Sequence, residues 1–444
     1  MINRLKHLWQ RAFAHAGFKK YFKNTSWLFG GQMLRLVLGL FVSVAVARYL
    51  GPADFGLYNY VLSIVALLAV VAGLGLKTLA KRQLVEHPDQ RDAILGTCFV
   101  LSLLSGLIIY AGMLLIVGYT TDSSLALGLF ALLGGGILLL EPLKYIEIWF
   151  QSQVRSDLSV SATSVTLLIF AAVKVAAIYY GADLLAFGYI FCFEAISLVS
   201  LLIYFYGRHF GSFLRWQFNR AVAVDFLKQA WPLILSGLAI TVYMKVDQIM
   251  LGAMLGDEAV GHYSAAVRIS AVWYFIPTIL ATSLFPAIMH ARAKSPELYQ
   301  QRLQRYFDLN AGLAYLICIP LTFAAPWVVL FLFGADYHSA GPILAIHAWS
   351  SLFVFLGVAR GQYLIAEKLF KFSLACTVAG AIVNVIMNYY LIPSYGGFGA
   401  ACATLLSYGV SAFLSSAFLR NGDAILKRQL LALVTPRLLF KTQR

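Results

Sequence analysis

The sequence predicts an all-α polytopic membrane protein: twelve transmembrane helices in two six-helix lobes, related by a pseudo-two-fold axis along the membrane normal, around a central cavity. Three observations carry that expectation. Apolar runs are long enough to cross a bilayer, basic residues are confined to alternate loops, and a short element returns at the same place in each half.

Hydrophobic residues fill 61% of the 444 positions and charged residues 12%, against about 25% charged in ordinary soluble domains. Runs of about 20 apolar residues suffice to cross a hydrocarbon core of about 30 Å as helices. Residues 1–25 are basic, with no apolar core leading to a small-residue cleavage site, and read as a retained cytoplasmic amphipathic segment. An N-lobe, 26–206, follows with runs at roughly 26–50, 55–78, 94–118, 125–149, 159–180 and 184–206. A polar stretch, 207–228, reads as the cytoplasmic inter-lobe linker. The C-lobe, 229–419, holds runs at roughly 229–254, 261–289, 308–333, 341–364, 372–392 and 396–419. Residues 420–444 are short, basic and interrupted by Pro436, as expected of a cytoplasmic interfacial tail.

Loop charge fixes the orientation. The N-terminal segment, the C-terminal tail and the loops on their side carry 27 of the 34 Lys and Arg residues, and the opposite loops carry none. The positive-inside rule puts both termini in the cytoplasm and makes twelve crossings self-consistent. The net charge of +15 is therefore a topology signal and does not imply a nucleic-acid partner.

The repeat is short but well placed. "LGPADFGLY", Leu50 to Tyr58, follows the first run, and "LGDEAVGHY", Leu255 to Tyr263, follows the seventh, 205 residues later. Each half crosses six times, so the halves share an orientation, as in transporters built from parallel repeats that rock around a central site.

Seven cations lie outside the loops and tails: Arg35, Arg48, Lys144, Lys174, Lys245, Arg268 and Arg360. Arg48 and Arg360 lie near span ends and can snorkel, and Lys144 has Glu141 and Glu147 three residues to either side. Arg35, Lys174, Lys245 and Arg268 lie deeper. Each costs about 2.5–3.5 kcal/mol at a helix centre on the insertion scale, less toward the ends. They should face a wet cavity or an anion.

Glu194, Asp247 and Asp308 are the acids available to neutralise them. Lys245 and Asp247, two residues apart, point to different sides of one helix and cannot pair well with each other. If Glu194 and Asp247 each take one cation, the cavity stays electropositive and suits an anionic substrate. Arg35, Lys174, Lys245 and Arg268 are the expected head-group ligands, with Arg360 a fifth. Asp247 and Glu194 are expected to act in coupling or gating, exchanging a proton or Na⁺ or holding a cation when the cavity is empty. Asn384 and Asn388, four apart, share a face of the eleventh run as polar cavity residues. Pro277, Pro320 and Pro326 can kink their helices.

No catalytic residue, metal ligand or cofactor is indicated. The chain lacks a P-loop, H-E-x-x-H and G-x-S-x-G, its five cysteines are scattered singly, and its loops are too short for an enzymatic domain. His347 reads as a packed or interfacial residue.

Three stretches resemble a known family: "NTSWLFGGQMLRLVLGLFVSVAVARYLGPADFGLYNY" (Asn24 to Tyr60), "KVDQIMLGAMLGDEAVGHYSAAVRI" (Lys245 to Ile269) and "NVIMNYYLIPSYGGFGAACATLLS" (Asn384 to Ser407). The last is similar to a pattern N-x-x-L-I-P…G-x-x-G-A-A-x-A-T, met here from Asn388 through Pro393, Gly396 and Gly399 to Thr404. The resemblance is to the polysaccharide repeat-unit (O-antigen) flippases, in the superfamily that includes the multidrug and toxic compound extrusion transporters and the lipid II flippases.

It implies export of a lipid-linked oligosaccharide, carried on undecaprenyl pyrophosphate, from the cytoplasmic to the periplasmic leaflet of a bacterial inner membrane. It also implies coupling to H⁺, Na⁺ or the membrane potential, and as partners membrane lipid, a polysaccharide polymerase and a chain-length regulator. A multidrug antiporter of the same fold, exporting small cationic compounds, is the alternative; acids should then dominate its cavity. A non-transporting scaffold would leave the buried charges and the repeat without a purpose.

Overall fold

The computed structural model describes residues 16–367, 369–418 and 422–434. These residues form helices and no strand, as expected of a chain whose backbone polar groups must be satisfied within lipid. The first fifteen and last ten residues, which belong to the two predicted cytoplasmic ends, lie outside the described residues.

In chain order the helices are α1 (Ala16–Ala72), α2 (Leu76–Glu86), α3 (Arg91–Thr120), α4 (Ser124–Gly134), α5 (Tyr145–Ser152), α6 (Ser156–Tyr179) and α7 (Leu184–Phe210). There follow α8 (Arg220–Leu255), α9 (Asp257–Ala271), α10 (Phe275–Lys294), α11 (Pro296–Phe333), α12 (Ala340–Ala366), α13 (Phe370–Ala412) and α14 (Gly422–Val434). Ten stretches of the described residues are long and apolar enough to cross a membrane. The two longest, Asn24–Ala72 and Lys371–Phe418, are each broken near the middle, at Gly51 and at Gly396, and each is long enough for two crossings. Twelve crossings result.

The break at Gly51 shows how sequence sets the local fold. Its φ of 76° and ψ of 171° lie where a Cβ is disfavoured, and Pro52 follows at the first position of the next helix, where a missing N–H costs nothing. Gly256, its partner in the repeat, takes nearly the same conformation, φ 86° and ψ −178°, between α8 and α9. The repeated sequence is thus a repeated turn.

Two predicted spans are less regular than their hydropathy suggests. The fourth is interrupted between α4 and α5 by a wide turn at Gly135–Leu139 and a tight one at Glu141–Lys144, where Pro142 lacks the N–H a continuous helix needs. The eighth tightens at Val272–Tyr274, just before Pro277. Pro320 and Pro326 instead lie inside the continuous α11.

Packing divides the described residues into two compact units. One takes those up to Val46 together with Ile64–Leu238, and the other takes Ala47–Ser63 together with those from Ala239 on. This division by packing differs from a division by crossings, since α1 enters the second unit and returns, and α8 begins in one unit and ends in the other.

In the first unit, α2 packs against α3, α5 and α7 around Leu84, Leu95, Trp149, Phe150 and Tyr206. The stretch 207–228 docks on this core. Gln217 donates its N–H to the carbonyl of Asp92 at 3.0 Å, and a Cβ at Gly96 would stand 2.5 Å from the Gln217 backbone. The Arg91 guanidinium lies over both Trp149 and Tyr206, 5.4 and 5.8 Å from the ring centroids.

In the second unit, α11 and α12 build a core with Tyr306, Phe307 and Leu356. The described part of the tail, α14, is docked against α11. Ile425, Gln429 and Ala432, spaced along one helix face, are buried. Gln429 donates to the carbonyl of Ala412 at 2.8 Å and accepts from Ser416 at 2.9 Å.

Candidate substrate and ion sites

α8 carries Lys245 and Asp247 to opposite environments. Lys245 is half-buried and donates to Gln248 Oε1 at 3.2 Å. Gln248 in turn accepts from Ser63 and donates through Nε2 to Ser264 Oγ at 3.0 Å. Lys245 is thereby tied to the Ala47–Ser63 stretch and to α9. Arg268, one turn beyond Ser264, is exposed and near enough to Lys245 for their charges to repel. Neither cation has a carboxylate within ion-pair distance among the described residues.

Asp247 is 3% exposed and faces the interior of the second unit. Its Oδ1 accepts from Asn388 Nδ2 at 2.6 Å, and its Oδ2 accepts from the Tyr263 hydroxyl at 2.6 Å and the Thr404 hydroxyl at 2.7 Å. Asn388 Nδ2 also lies 3.4 Å from Asn384 Oδ1. Asn388 Oδ1 and Asn384 Nδ2 are buried with no partner among the described residues. No cation pairs with this carboxylate among the described residues. The cluster gathers oxygen-bearing side chains from α8, α9 and the two halves of α13: a carboxylate, two amides and two hydroxyls. Hard monovalent and divalent cations take such oxygens, and a buried carboxylate is otherwise costly unless it binds a proton.

In the first unit, Lys174 of α6 forms a 2.6 Å ion pair with Glu194 of α7, and this pairing withdraws Lys174 from the free cations. Arg35 of α1 is exposed and lines a recess that also contains Glu147, but makes no ion pair within 4 Å among the described residues. Lys144 pairs with Glu141 at 3.0 Å, and Lys77 also pairs with Glu141.

Arg360 corrects one expectation. It does not snorkel: its side chain is 5% exposed, it donates to Ser415 Oγ at 2.5 Å, and it lies beside Cys376 and Tyr243 inside the second unit. A cytoplasmic-end position in sequence did not reveal that α12 turns this face toward its neighbours. Asp308 is buried and accepts from Gln304 at 2.7 Å, and His347 is buried against Ser270 at 2.8 Å.

Sequence reasoning passed over Gln248, Ser63 and Ser264, which had no signal beyond being polar in apolar runs. Tyr263 and Thr404 did carry one, since Tyr263 ends the repeated element and Thr404 ends the N-x-x-L-I-P pattern; their shared contact with Asp247 needed the tertiary fold.

Comparison with known proteins follows this geometry. Residues 21–292 match the family described as polysaccharide biosynthesis protein, and residues 232–390 match the MatE family. The chain is 26% identical over 399 residues to the probable flippase AglR of Haloferax volcanii, spanning 87% of this chain and 81% of that one. It is also 26% identical over 184 residues to a putative O-antigen transporter of Shigella dysenteriae, covering 41% of this chain and 45% of the relative. Its fold resembles that of the lipid II flippase MurJ in an inward closed conformation, with a TM-score of 0.66 at 16% identity over 93% of both chains. With more than half of its length matched, the chain belongs to the polysaccharide biosynthesis protein family.

Proposed function

We propose that this protein is a flippase that carries an undecaprenyl-pyrophosphate-linked oligosaccharide repeat unit from the cytoplasmic to the periplasmic leaflet of a bacterial inner membrane by alternating access. Both termini lie in the cytoplasm, and a polymerase with its chain-length regulator consumes the exported units. The observation that carries this reading is the neighbouring pair Lys245 and Arg268, two cations within apolar spans that form no ion pair with a carboxylate among the described residues. A pyrophosphate supplies the missing charge, and charge-assisted hydrogen bonds to phosphate are among the stronger polar contacts. Arg35, which shares a recess with Glu147 and forms no ion pair within 4 Å among the described residues, adds a third cation. Lys174 joins them only when Glu194 releases it, so that pair acts as a gate.

Asp247, with Asn384, Asn388, Tyr263 and Thr404, is the coupling site. A Na⁺ or proton taken up there neutralises a buried carboxylate and changes what Tyr263 and Thr404 donate to. The membrane potential acts alongside it: an inside-negative potential favours outward movement of an anion by about 2.3 kcal/mol per charge per 100 mV.

The test is reconstitution. Proteoliposomes loaded with a fluorescent polyprenyl-pyrophosphate oligosaccharide should show protein-dependent flipping, slowed when Lys245 or Arg268 is changed to Gln. Export of a cationic dye without flipping of the lipid-linked sugar would favour the antiporter reading.

A further inference from the structure

The seam between α1 and α6 in the first unit is a two-part recess. The helices are pinned at one end by Asn24, whose Oδ1 accepts the Ser156 N–H at 2.8 Å. They meet again where a Cβ on Gly31 would stand 2.5 Å from Val160 Cγ1. On one side of this crossing is a recess of about 430 Å³ walled by Trp27, Gly30, Leu34 and Val160, almost wholly apolar. On the other is a recess of about 220 Å³ lined by Gln32, Arg35, Glu147, Gln151 and Thr163. Gly31, Val160 and Ser164 belong to both. An apolar groove that shares a wall with a pocket of amides, hydroxyls, a carboxylate and a guanidinium that forms no ion pair among the described residues has the chemistry of an amphiphile's two ends.

From this we infer that the α1–α6 seam binds the junction of a polyprenyl-linked sugar. The groove holds the isoprene units next to the phosphate, Arg35 holds the phosphate, and Gln32, Glu147, Gln151 and Thr163 hydrogen-bond the first sugar's hydroxyls. This inference rests on the flippase reading above and adds a subsite to it. Glu147 gives the pocket a selectivity that cations alone lack, since a carboxylate accepts hydrogen bonds from sugar hydroxyls. The groove lies in the N-terminal half of α1, toward the end that the charge pattern assigns to the cytoplasmic side. A substrate arriving in that leaflet therefore meets it first. Bulk phospholipid satisfies the groove but has no sugar for the amide-rich pocket.

Gly30 permits a clean test, because a Cβ there would have nothing within 4 Å. Gly30→Leu fills the groove without displacing protein, and Leu is the better helix former. Gly112, equally open but on α3, provides the control Gly112→Leu. Full-length protein in proteoliposomes is assayed for flipping of a polyprenyl-pyrophosphate disaccharide and photolabelled with a diazirine-bearing polyprenyl phosphate.

Gly30→Leu should slow flipping about tenfold or more, the scale of filling a hydrophobic subsite, while Gly112→Leu flips at the wild-type rate. Label should fall on residues 26–34 and 160–164 and be displaced by the lipid-linked disaccharide but not by phosphatidylglycerol. Normal flipping by Gly30→Leu, label elsewhere, or equal displacement by phosphatidylglycerol would overturn the subsite and leave the flippase reading standing. A wild-type protein that flips nothing would overturn that reading, and this one with it.

Discussion

Gly56 and Gly261 hold equivalent positions in the repeated element, and each rests on the backbone at the start of the other's helix. A Cβ on Gly56 would overlap the Asp257 carbonyl, and one on Gly261 would overlap the carbonyl of Pro52, the residue equivalent to Asp257. The contact is reciprocal and leaves no room for a methyl group on either side. Gly56→Val or Gly261→Val should therefore pry the Ala47–Ser63 stretch from α9. Overpacking costs about 1–3 kcal/mol. We expect flipping to fall about tenfold and a cysteine placed at Ser264, buried in the native arrangement, to gain reactivity toward a membrane-impermeant maleimide. Unchanged labelling in both variants would show that the contact is dispensable.

Asp247→Asn keeps the shape of the buried cluster and removes its charge. Its amide oxygen can still accept from Asn388, and the Tyr263 and Thr404 hydroxyls can turn to accept from its NH2, so the variant should fold with a Tm within a few degrees of wild type. Its flipping should lose dependence on an imposed Na⁺ or pH gradient. Thr404→Ala, which removes one oxygen, should weaken that dependence in part. A full gradient response in Asp247→Asn would rule out this coupling site.

Much of this arrangement was legible in the sequence, for physical reasons. Lipid forces helices and loop charge fixes their alternation, so twelve crossings could be counted from hydropathy and Lys/Arg placement alone. The period of a helix places Lys245 and Asp247 on different sides. Partners across helices follow no such rule. Nothing in the sequence pairs Lys174 with Glu194 or turns Arg360 toward Ser415, because each contact depends on which helix faces pack. The interruption around Pro142 was hidden for a related reason: apolar content measures partition into lipid and is indifferent to hydrogen-bond register.

The Lys174–Glu194 pair makes a prediction that separates structure from substrate contact. Both side chains are about four-fifths buried, 19% and 23% exposed, so removing one partner strands a charge. Lys174→Gln alone should cost about 1–3 kcal/mol. The double variant Lys174→Gln, Glu194→Gln should recover most of that loss, since both charges leave together. Because Lys174 joins the head-group cations once Glu194 releases it, flipping should stay reduced in the double variant although stability recovers. Recovery of flipping along with stability would make the pair structural and remove Lys174 from the head-group ligands.

Lys245 and Arg268 should behave in the opposite way. They stand near one another with no carboxylate in ion-pair distance among the described residues, and a cation within an apolar span is unfavourable before any substrate arrives. Removing one relieves repulsion in the empty protein while deleting a phosphate contact in the loaded one. Lys245→Gln should therefore raise Tm by a few degrees and lower the flipping rate by about two orders of magnitude, the size of a lost charge-assisted contact of roughly 3 kcal/mol. Added polyprenyl pyrophosphate should raise the wild-type Tm and leave that of the variant nearly unmoved, because a ligand stabilises only the state it binds. A variant that is both less stable and fully active would mean that Lys245 serves the hydrogen-bond chain through Gln248 and no anion.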